Sequence, residues 1–196
     1  MPNLNINSRI YKGRGLIKVL ENYTVLDIET TSLDCYRGEI LEISAIKVRN
    51  QQETEYFSEL IKIHNKVGAF TTKLTGITNE MILKEGKELV LVLKNFKDFL
   101  GDDIIVGHNV NFDINFIYDS MKKNLGRNLT NDYVDTLRIA RKVLPHLKHH
   151  KLDDLIKYFN LVERNEHRAL NDCILTNQVY IRLGELLEPH RQQSVI

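Results

Sequence analysis

The segment over residues 23–28 (YTVLDI) constrains the fold more than any other part of the chain. It is mostly apolar, rich in strand-forming residues, and leads directly into the carboxylates of Asp27 and Glu29. An apolar run of this length predicts a strand in the centre of a sheet. Asp27 and Glu29 are two residues apart, so in a continuous strand their side chains point to the same face. The segment therefore predicts a central strand that delivers two carboxylates from its carboxyl end.

The next two segments predict an antiparallel extension of that sheet. Residues 40–48 alternate, with Ile43 and Ala45 on one face and mostly polar side chains on the other. A turn at Arg49-Asn50 leads into a second strand over residues 53–63, which together predict a hairpin. The sheet therefore begins as an antiparallel meander.

The rest of the chain alternates between helix and strand. Apolar residues recur at helical spacing over residues 89–100, and Gly101 ends the run. Strands first and alternating elements later predict an α/β fold with a mixed sheet and helices packed on its faces. The remaining predicted elements are a strand at 104–106, a helix at 111–125, a short strand at Tyr133-Val134, and helices at 136–144, 152–159 and 169–187.

Carboxylates recur at wide spacing, each where a strand ends or a helix begins. They are Asp27 and Glu29, then Asp113, then Asp172. Bringing like charges together raises their pKa values, and a divalent cation is the natural compensation. Oxygen ligands suit Mg²⁺ or Mn²⁺ better than zinc. The alternatives are a solvated strand edge for the first pair and a helix-end role for Asp113, although Asn111 is the better cap candidate.

His167 stands five residues before Asp172 in EHRALNDC, where a helix is predicted to begin. Its side chain would then lie near Asp172, within reach of a metal-activated water. With an ordinary pKa of about 6.5, histidine can take a proton from that water at neutral pH. A lone histidine is more often a surface residue, and the neighbouring carboxylates are what favour a catalytic role for His167.

Length and charge limit the alternatives. A chain of 196 residues predicts one domain. The net charge of +1 gives no overall attraction to nucleic acid, so any such attraction must be local. Cys35 and Cys173 form no metal or disulfide pattern, and both are expected to be buried apolar side chains in a reducing compartment.

The first residues lack the apolar core of a signal peptide, and no stretch approaches the roughly 18 apolar residues of a membrane span. We therefore expect a cytoplasmic protein without a membrane partner. Residues 1–20 carry Arg9, Lys12, Arg14 and Lys18, either as a basic arm that touches phosphates or as a solubilising tail. The predicted division is this extension, a domain over residues 21–188, and a tail over residues 189–196.

Three segments, VLDIETTSLD, GHNVNFD and HRALNDC, together resemble the three motifs of the DEDDh exonucleases. That group includes the proofreading subunit of bacterial DNA polymerase III. The likeness covers residues 23–187 in motif order, and a histidine five residues before the last aspartate is typical of this branch. The resemblance implies a ribonuclease H-like fold with a mixed five-stranded sheet and helices on both faces. It also implies 3′→5′ hydrolysis of nucleic acid.

The resemblance implies a role for each motif residue. Asp27, Glu29 and Asp172 would hold one Mg²⁺ or Mn²⁺ ion, Asp27 would bridge to a second, and Asp113 would support that second ion. Two such ions can stabilise the attacking and leaving oxygens of a displacement at phosphorus. His167 would be the general base, and the product a nucleoside 5′-monophosphate.

Other segments have two interpretations each. Thr75, Gly76 and Ile77 resemble the loop that packs against the terminal base in this family, or form an ordinary turn before a helix. Asn109 would contact the terminal nucleotide or cap the following helix. The segment PHLKHHKLDDL is either a phosphate-facing patch or a solvated loop. Ser32 stands where relatives usually have glycine, which removes no ligand.

The leading hypothesis is a proofreading type of exonuclease that acts on single-stranded or frayed 3′ ends of DNA, with a DNA polymerase complex as a further candidate partner. The rival enzyme is an RNA-trimming exonuclease with the same chemistry. A catalytically inert nucleic-acid-binding module is the alternative from another class. It predicts the loss of a metal ligand, whereas all four carboxylates and His167 are present.

Overall fold

The fold is a mixed α/β sheet flanked by helices, in a computed structural model that describes residues 9–162 and 168–189. Within these ranges the strands are β1 Gly15–Leu16, β2 Tyr23–Thr30, β3 Ile40–Arg49, β4 Gln52–Leu60, β5 Ile105–Gly107 and β6 Tyr133–Asp135. The helices are α1 Ala69–Thr75, α2 Asn79–Glu85, α3 Leu89–Leu100, α4 Asn111–Leu125, α5 Thr136–Val143, α6 Leu152–Tyr158 and α7 Ala169–Leu187.

The strand order is β1-β6-β5-β2-β3-β4, so β2 lies inside the sheet. It pairs antiparallel with β3 and parallel with β5, and β3 pairs antiparallel with β4. The predicted meander is therefore confirmed. Its hairpin turn lies at Asn50 and Gln51, one residue later than predicted, with φ angles of 50° and 63°. Positive φ at both turn residues matches the twist that a two-residue hairpin needs.

The sheet of the described residues has six strands, one more than the predicted five. The additional strand is β1, which pairs in parallel with β6. The glycine at position 13 permits this approach, since a Cβ there would lie 1.9 Å from the carbonyl oxygen of Asn131. A strand of only two residues has no periodicity, which is why the sequence did not reveal it. The domain division at residue 21 stays a prediction.

Helices cover both faces of the sheet, as predicted. Leu26 and Ile28 of β2 belong to the apolar core shared with α3 and α4. Tyr23 and Val25 belong to the core shared with α5, α6 and α7. Side chains alternate along a strand, so Asp27 and Glu29 point to the same face as Tyr23 and Val25. This is the face that α7 covers.

The helices α1 and α2 were not predicted. They are held against the far edge of the sheet by a third, small cluster of buried apolar residues: Leu41, Leu60, Val67, Ile77 and Ile82. Their seven-residue lengths are too short for a clear helical period. This cluster fixes the corner of the molecule that contains residues 75–77.

The predicted bounds of α3, α4 and α7 are confirmed, and those of α5 and α6 differ by one residue at their ends.

Cys173 is buried as predicted, but Cys35 is only partly buried and accepts a hydrogen bond from Arg9 Nη2 at 3.3 Å. No helix in the described ranges combines the length and apolarity that a membrane crossing requires.

Candidate metal centre

Three of the predicted ligands converge between β2 and α7. Asp27 and Glu29 end the central strand, and Asp172 lies in the first turn of α7. One carboxylate oxygen from each lies within 4.8 Å of the other two. Residues 145 positions apart in the chain therefore form one oxygen-rich pocket, because α7 packs on the face to which β2 directs its odd-numbered side chains.

Asp113 approaches the same strand from α4 on the other face. Its side chain is buried, and its carboxylate accepts hydrogen bonds from its own backbone N–H and from that of Ile28. It therefore lies beside the segment between Asp27 and Glu29. The expected cap at Asn111 is wrong: Val110 occupies the cap position, and the Asn111 side chain accepts instead from Lys12 and Tyr133.

The carboxylates raise each other's pKa values. The pKa of Glu29 rises to about 8, first because of burial and then because of the charges of Asp172 and Glu42. The pKa of Asp27 lies well above 3.8, through desolvation by the surrounding protein and then the charges of Asp113 and Asp172. Burial also raises the pKa of Asp113, against its two backbone hydrogen bonds. The cluster therefore has too little positive charge for full ionisation at neutral pH.

The donor set of this cluster fits hard divalent cations. All the converging atoms are carboxylate oxygens, which Mg²⁺ and Mn²⁺ accept and which zinc accepts less readily than nitrogen or sulfur. A divalent cation would also supply the positive charge that the raised pKa values of Asp27 and Glu29 show to be missing.

Glu42 is a fifth carboxylate that sequence reasoning did not single out. It lies opposite Glu29 in the β2–β3 register and is only 1% exposed. Arg168 binds it through two donors, with Nη2 2.6 Å from Oε1 and Nε 3.1 Å from Oε2. Arg168 also lowers the pKa of Glu29 by its charge. A glutamate within the apolar run of β3 was the available signal, because a buried charge needs a partner.

Asp135 at the end of β6 was also missed. Its Oδ1 accepts the backbone N–H of Asn109 at 2.9 Å and that of Leu137 at 3.0 Å. It thereby caps α5 and fixes the loop that leads into α4. Asn109 has a φ of 57°, a left-handed conformation that asparagine tolerates better than most residues. Asn109 does not cap α4, since Val110 holds that position.

The three residues predicted to meet the terminal base lie where α1 ends. Thr75 and Ile77 have buried side chains, and Thr75 Oγ1 accepts the N–H of Ile77 at 3.1 Å. Gly76 ends the helix with a φ of 71°. The exposed apolar side chains at this corner are Phe70 and Leu74. Thr75, Gly76 and Ile77 therefore form a hydrogen-bonded turn, and their contact with substrate stays a prediction.

The predicted catalytic histidine, His167, lies outside the described residues. Its neighbour Arg168 is described and is held by Glu42. Ser32, the departure from the usual glycine, forms a local turn in which its Oγ accepts the N–H of Asp34 at 3.1 Å.

A family model described as "Exonuclease" (RNase_T) matches residues 24–180. The chain is also similar to two proteins named "DNA polymerase III PolC-type". It is 36% identical over 174 residues to that of Latilactobacillus sakei, covering 89% of this chain and 12% of the relative. It is 38% identical over 166 residues to that of Thermotoga maritima, covering 85% of this chain and 12% of the relative. The chain therefore spans about an eighth of their length.

Solved structures share the fold at lower identity. Exonuclease X in complex with 5′ overhanging duplex DNA superposes with a TM-score of 0.65 at 23% identity, covering 82% of this chain and 90% of that one. Escherichia coli exonuclease I in complex with a dT13 oligonucleotide superposes with a TM-score of 0.72 at 17% identity, covering 89% of this chain and 43% of that one. The predicted ribonuclease H-like fold is thus confirmed.

Proposed function

The chain belongs to the exonuclease family, and we propose that it removes nucleotides one at a time from the 3′ end of DNA, releasing nucleoside 5′-monophosphates. One observation supports this above the others: Asp27, Glu29 and Asp172 place carboxylate oxygens within 4.8 Å of one another, with Asp113 beside the same strand. A nuclease of this kind needs such a site to balance the charge of a reacting phosphodiester.

We propose that Asp27, Glu29 and Asp172 hold one divalent ion and that Asp113 supports a second, with Asp27 shared between them. Bound Mg²⁺ or Mn²⁺ would neutralise developing phosphate charge and lower the pKa of a bound water. The carboxylates would hold the ions in place, because their own positions are fixed by β2, α4 and α7. Arg168 offsets part of the fifth negative charge at this cluster, because the charge of Glu42 raises the pKa of Glu29 and that of Arg168 lowers it.

His167 is proposed as the general base. It would take a proton from the attacking water, the water oxygen would bond to phosphorus, and the bond from phosphorus to the 3′ oxygen of the preceding nucleotide would break. The departing 3′ oxygen then takes up a proton from solvent. A histidine with an ordinary pKa of about 6.5 is a competent proton acceptor near neutral pH.

DNA is the favoured substrate over RNA. The relatives named above are DNA polymerases, and the two structural neighbours are complexes with DNA. Single-stranded or frayed 3′ ends are the proposed form of that DNA, in the setting of a DNA polymerase complex and of the cytoplasm. RNA trimming remains the second candidate, because the same carboxylates and histidine would serve both polymers.

The test compares matched DNA and RNA oligonucleotides that are labelled at the 5′ end, with single-stranded, paired and mismatched 3′ ends. We expect Mg²⁺- or Mn²⁺-dependent shortening from the 3′ end, fastest on single-stranded and mismatched DNA. Faster shortening of RNA would replace the proposed substrate by the second candidate.

The residue assignments are tested on the same substrates. Asp172→Ala and His167→Ala should each abolish most of the activity, whereas Asp98→Ala, at an exposed position of α3, should retain it. Undiminished activity of Asp172→Ala would contradict the metal site. Wild-type protein that binds DNA without shortening it would favour the inert binding module.

A further inference from the structure

A second candidate site is a cavity of about 540 Å³ beside the loop that leads into α4. We define the basic cavity by its polar lining: His108, Asn109, Arg141, Lys148, His149, His150 and Lys151. Most of these residues come from the segment PHLKHHKLDDL, for which the sequence left a phosphate-facing patch and a solvated loop equally open. The structure adds two features that the sequence could not show, an arginine from α5 and a direct connection to the loop at Asn109.

In the described part of the chain, the cations of the basic cavity form no close ion pair, although the charge of Arg141 acts on Asp135 and opposes the rise of its pKa. Among the described residues, the ion pairs within 4.0 Å involve neither Arg141 nor Lys148 nor Lys151. Two aspartates, Asp153 and Asp154, lie close enough to act on His108 by their charge, but they are absent from the cavity lining. Three formal positive charges therefore converge on one open space, which suits an anionic ligand.

The cavity is built into the fold through His108. Its Nδ1 lies 2.9 Å from Thr136 Oγ1, and its ring also hydrogen-bonds the backbone of His150. His150 in turn donates from Nε2 to the carbonyl of Leu144 at 2.9 Å. Burial, the largest cause, lowers the pKa of His108 to about 4, so this ring is a neutral brace rather than a cation. The loop after α5 is thereby tied to the loop before α4.

The basic cavity lies at the same edge and on the same face of the sheet as the metal centre. His108 and Asn109 follow the carboxyl end of β5, and Arg141 belongs to α5, which follows β6. The strands β2, β5 and β6 are neighbours in that order, and adjacent strands are about 4.8 Å apart. The distance between β6 and β2, the strand that carries Asp27, is two strand spacings, or about 10 Å.

We infer that the basic cavity is a second phosphate subsite, which binds an upstream phosphate of the strand whose last phosphodiester, at its 3′ end, lies at the carboxylates. The inference rests on the proposed function, because it assumes a polynucleotide at the metal centre. A strand entering the metal centre along the edge formed by β2, β5 and β6 passes the loop at Asn109. Arg141, Lys148 and Lys151 would there neutralise its backbone without reading its sequence.

The test is direct binding of a fluorescein-labelled dT8 strand, measured by anisotropy in EDTA between about 50 and 200 mM salt. The variant is Lys148→Ala/Lys151→Ala, and the matched control is Lys66→Ala/Lys94→Ala, which removes two exposed lysines outside the basic cavity. We expect the cavity variant to raise Kd about 5- to 10-fold at the lowest salt. Its slope of log K against log salt should be shallower by about 0.7 for each phosphate that the variant no longer neutralises.

Kinetics with Mg²⁺ give a second readout. On dT8 the cavity variant should raise KM and leave kcat unchanged, while on a dinucleotide both constants should equal those of the control. Arg141→Gln should act in the same direction, and circular dichroism should show all variants folded. Equal dT8 binding by the cavity variant and the control would overturn the inference. So would an equal loss on the dinucleotide, because that would place these residues at the terminal nucleotide.

Two further outcomes separate this inference from the alternatives. If the wild type hydrolyses no strand but the cavity variant still binds dT8 more weakly than the control, the proposed activity fails and the subsite stands. If an oligo-glutamate peptide of equal charge displaces dT8 as well as unlabelled dT8 does, the cavity recognises acidic chains in general. That result would overturn a phosphate subsite.

Discussion

Glu29 and Glu42 lie opposite each other on neighbouring antiparallel strands, and Arg168 binds the carboxylate of Glu42 through two donors. The two glutamates lie on the same face of the sheet, but they differ in that Arg168 is bound to Glu42. Glu42 becomes the buried member of an ion pair with the partly exposed Arg168, while Glu29 has a pKa raised to about 8 and lies beside Asp27 and Asp172. The ion pair with Arg168 gives Glu42 a structural role. Asp27, Glu29 and Asp172 are the proposed cation ligands.

Replacing Arg168 should destabilise the protein, because Glu42 would remain buried without its counter-charge. We expect Arg168→Gln to lower the free energy of unfolding by about 3 kcal/mol. Glu42→Gln/Arg168→Gln should recover part of that loss. Denaturant unfolding of the two single variants and the double variant measures the coupling. The control is Arg182→Gln, which removes the exposed pair with Glu185 and should change stability by less than about 1 kcal/mol. Equal losses for Arg168→Gln and Arg182→Gln would contradict a structural role for the Glu42–Arg168 pair.

The metal-free protein should lose stability as pH rises from about 5 to 8. The pKa of Glu29 is raised from 4.5 to about 8 in the folded state, so folding favours its protonated form. Such a group stabilises the protein below its unfolded pKa, and this contribution disappears as pH rises through the folded value. We expect Tm in EDTA to fall by at least about 3 °C over this window.

Mg²⁺ or Mn²⁺ should reverse this loss, with a larger increase in Tm at pH 8 than at pH 5, since protons and metal ions compete for the same carboxylates. In Asp172→Ala both the pH-dependent fall and the metal-dependent rise should shrink, because Asp172 is the largest charge acting on Glu29. Metal stabilisation that is independent of pH would contradict a metal site at these carboxylates.

We expect Asp135 to stabilise the protein through its hydrogen bonds rather than through its charge. Asp135→Ala removes the acceptor for the N–H groups of Asn109 and Leu137, and we expect it to cost about 1 to 2 kcal/mol of stability. Asp135→Asn keeps an acceptor oxygen and should cost less. Because the same bonds fix the loop at Asn109, KM for oligonucleotides should rise in the alanine variant. If Asp135→Asn were as damaging as Asp135→Ala, the charge itself would be the important property.

Gly76 permits a test of the substrate turn with a matched control. Gly76 and Gly126 both end helices with positive φ, 71° and 64°, and a Cβ on either would meet nothing within 4 Å. Alanine at either position should therefore cost about 1 to 2 kcal/mol through backbone strain alone. If the turn of residues 75–77 contacts the terminal nucleotide, only Gly76→Ala should also raise KM. Unchanged KM in both variants would leave residues 75–77 as a structural turn.

Elements with long, regular apolar patterns were predictable from the sequence. The helices α3, α4 and α7 and the strand β3 have repeated apolar positions, and their predicted bounds agree with the structure to within one residue. The strand β1 and the helices α1 and α2 were missed because two to seven residues do not establish a period. Their positions depend on distant partners: β1 on Tyr133, and α1 and α2 on Leu41 and Leu60.

The sequence alone predicted a carboxylate cluster suited to a divalent cation, because carboxylates stand at the end of an apolar strand and in the first turns of two helices. It also indicated the family, through three ordered motifs. Which charges meet became apparent only from the folded chain. Glu42 and Arg168 are 126 positions apart, and Arg141 and His149 face one cavity only because α5 and the following loop fold back onto His108. The strength of an electrostatic interaction depends on the distance between the charged groups in the folded protein. The sequence pattern of a single chain does not give that distance directly.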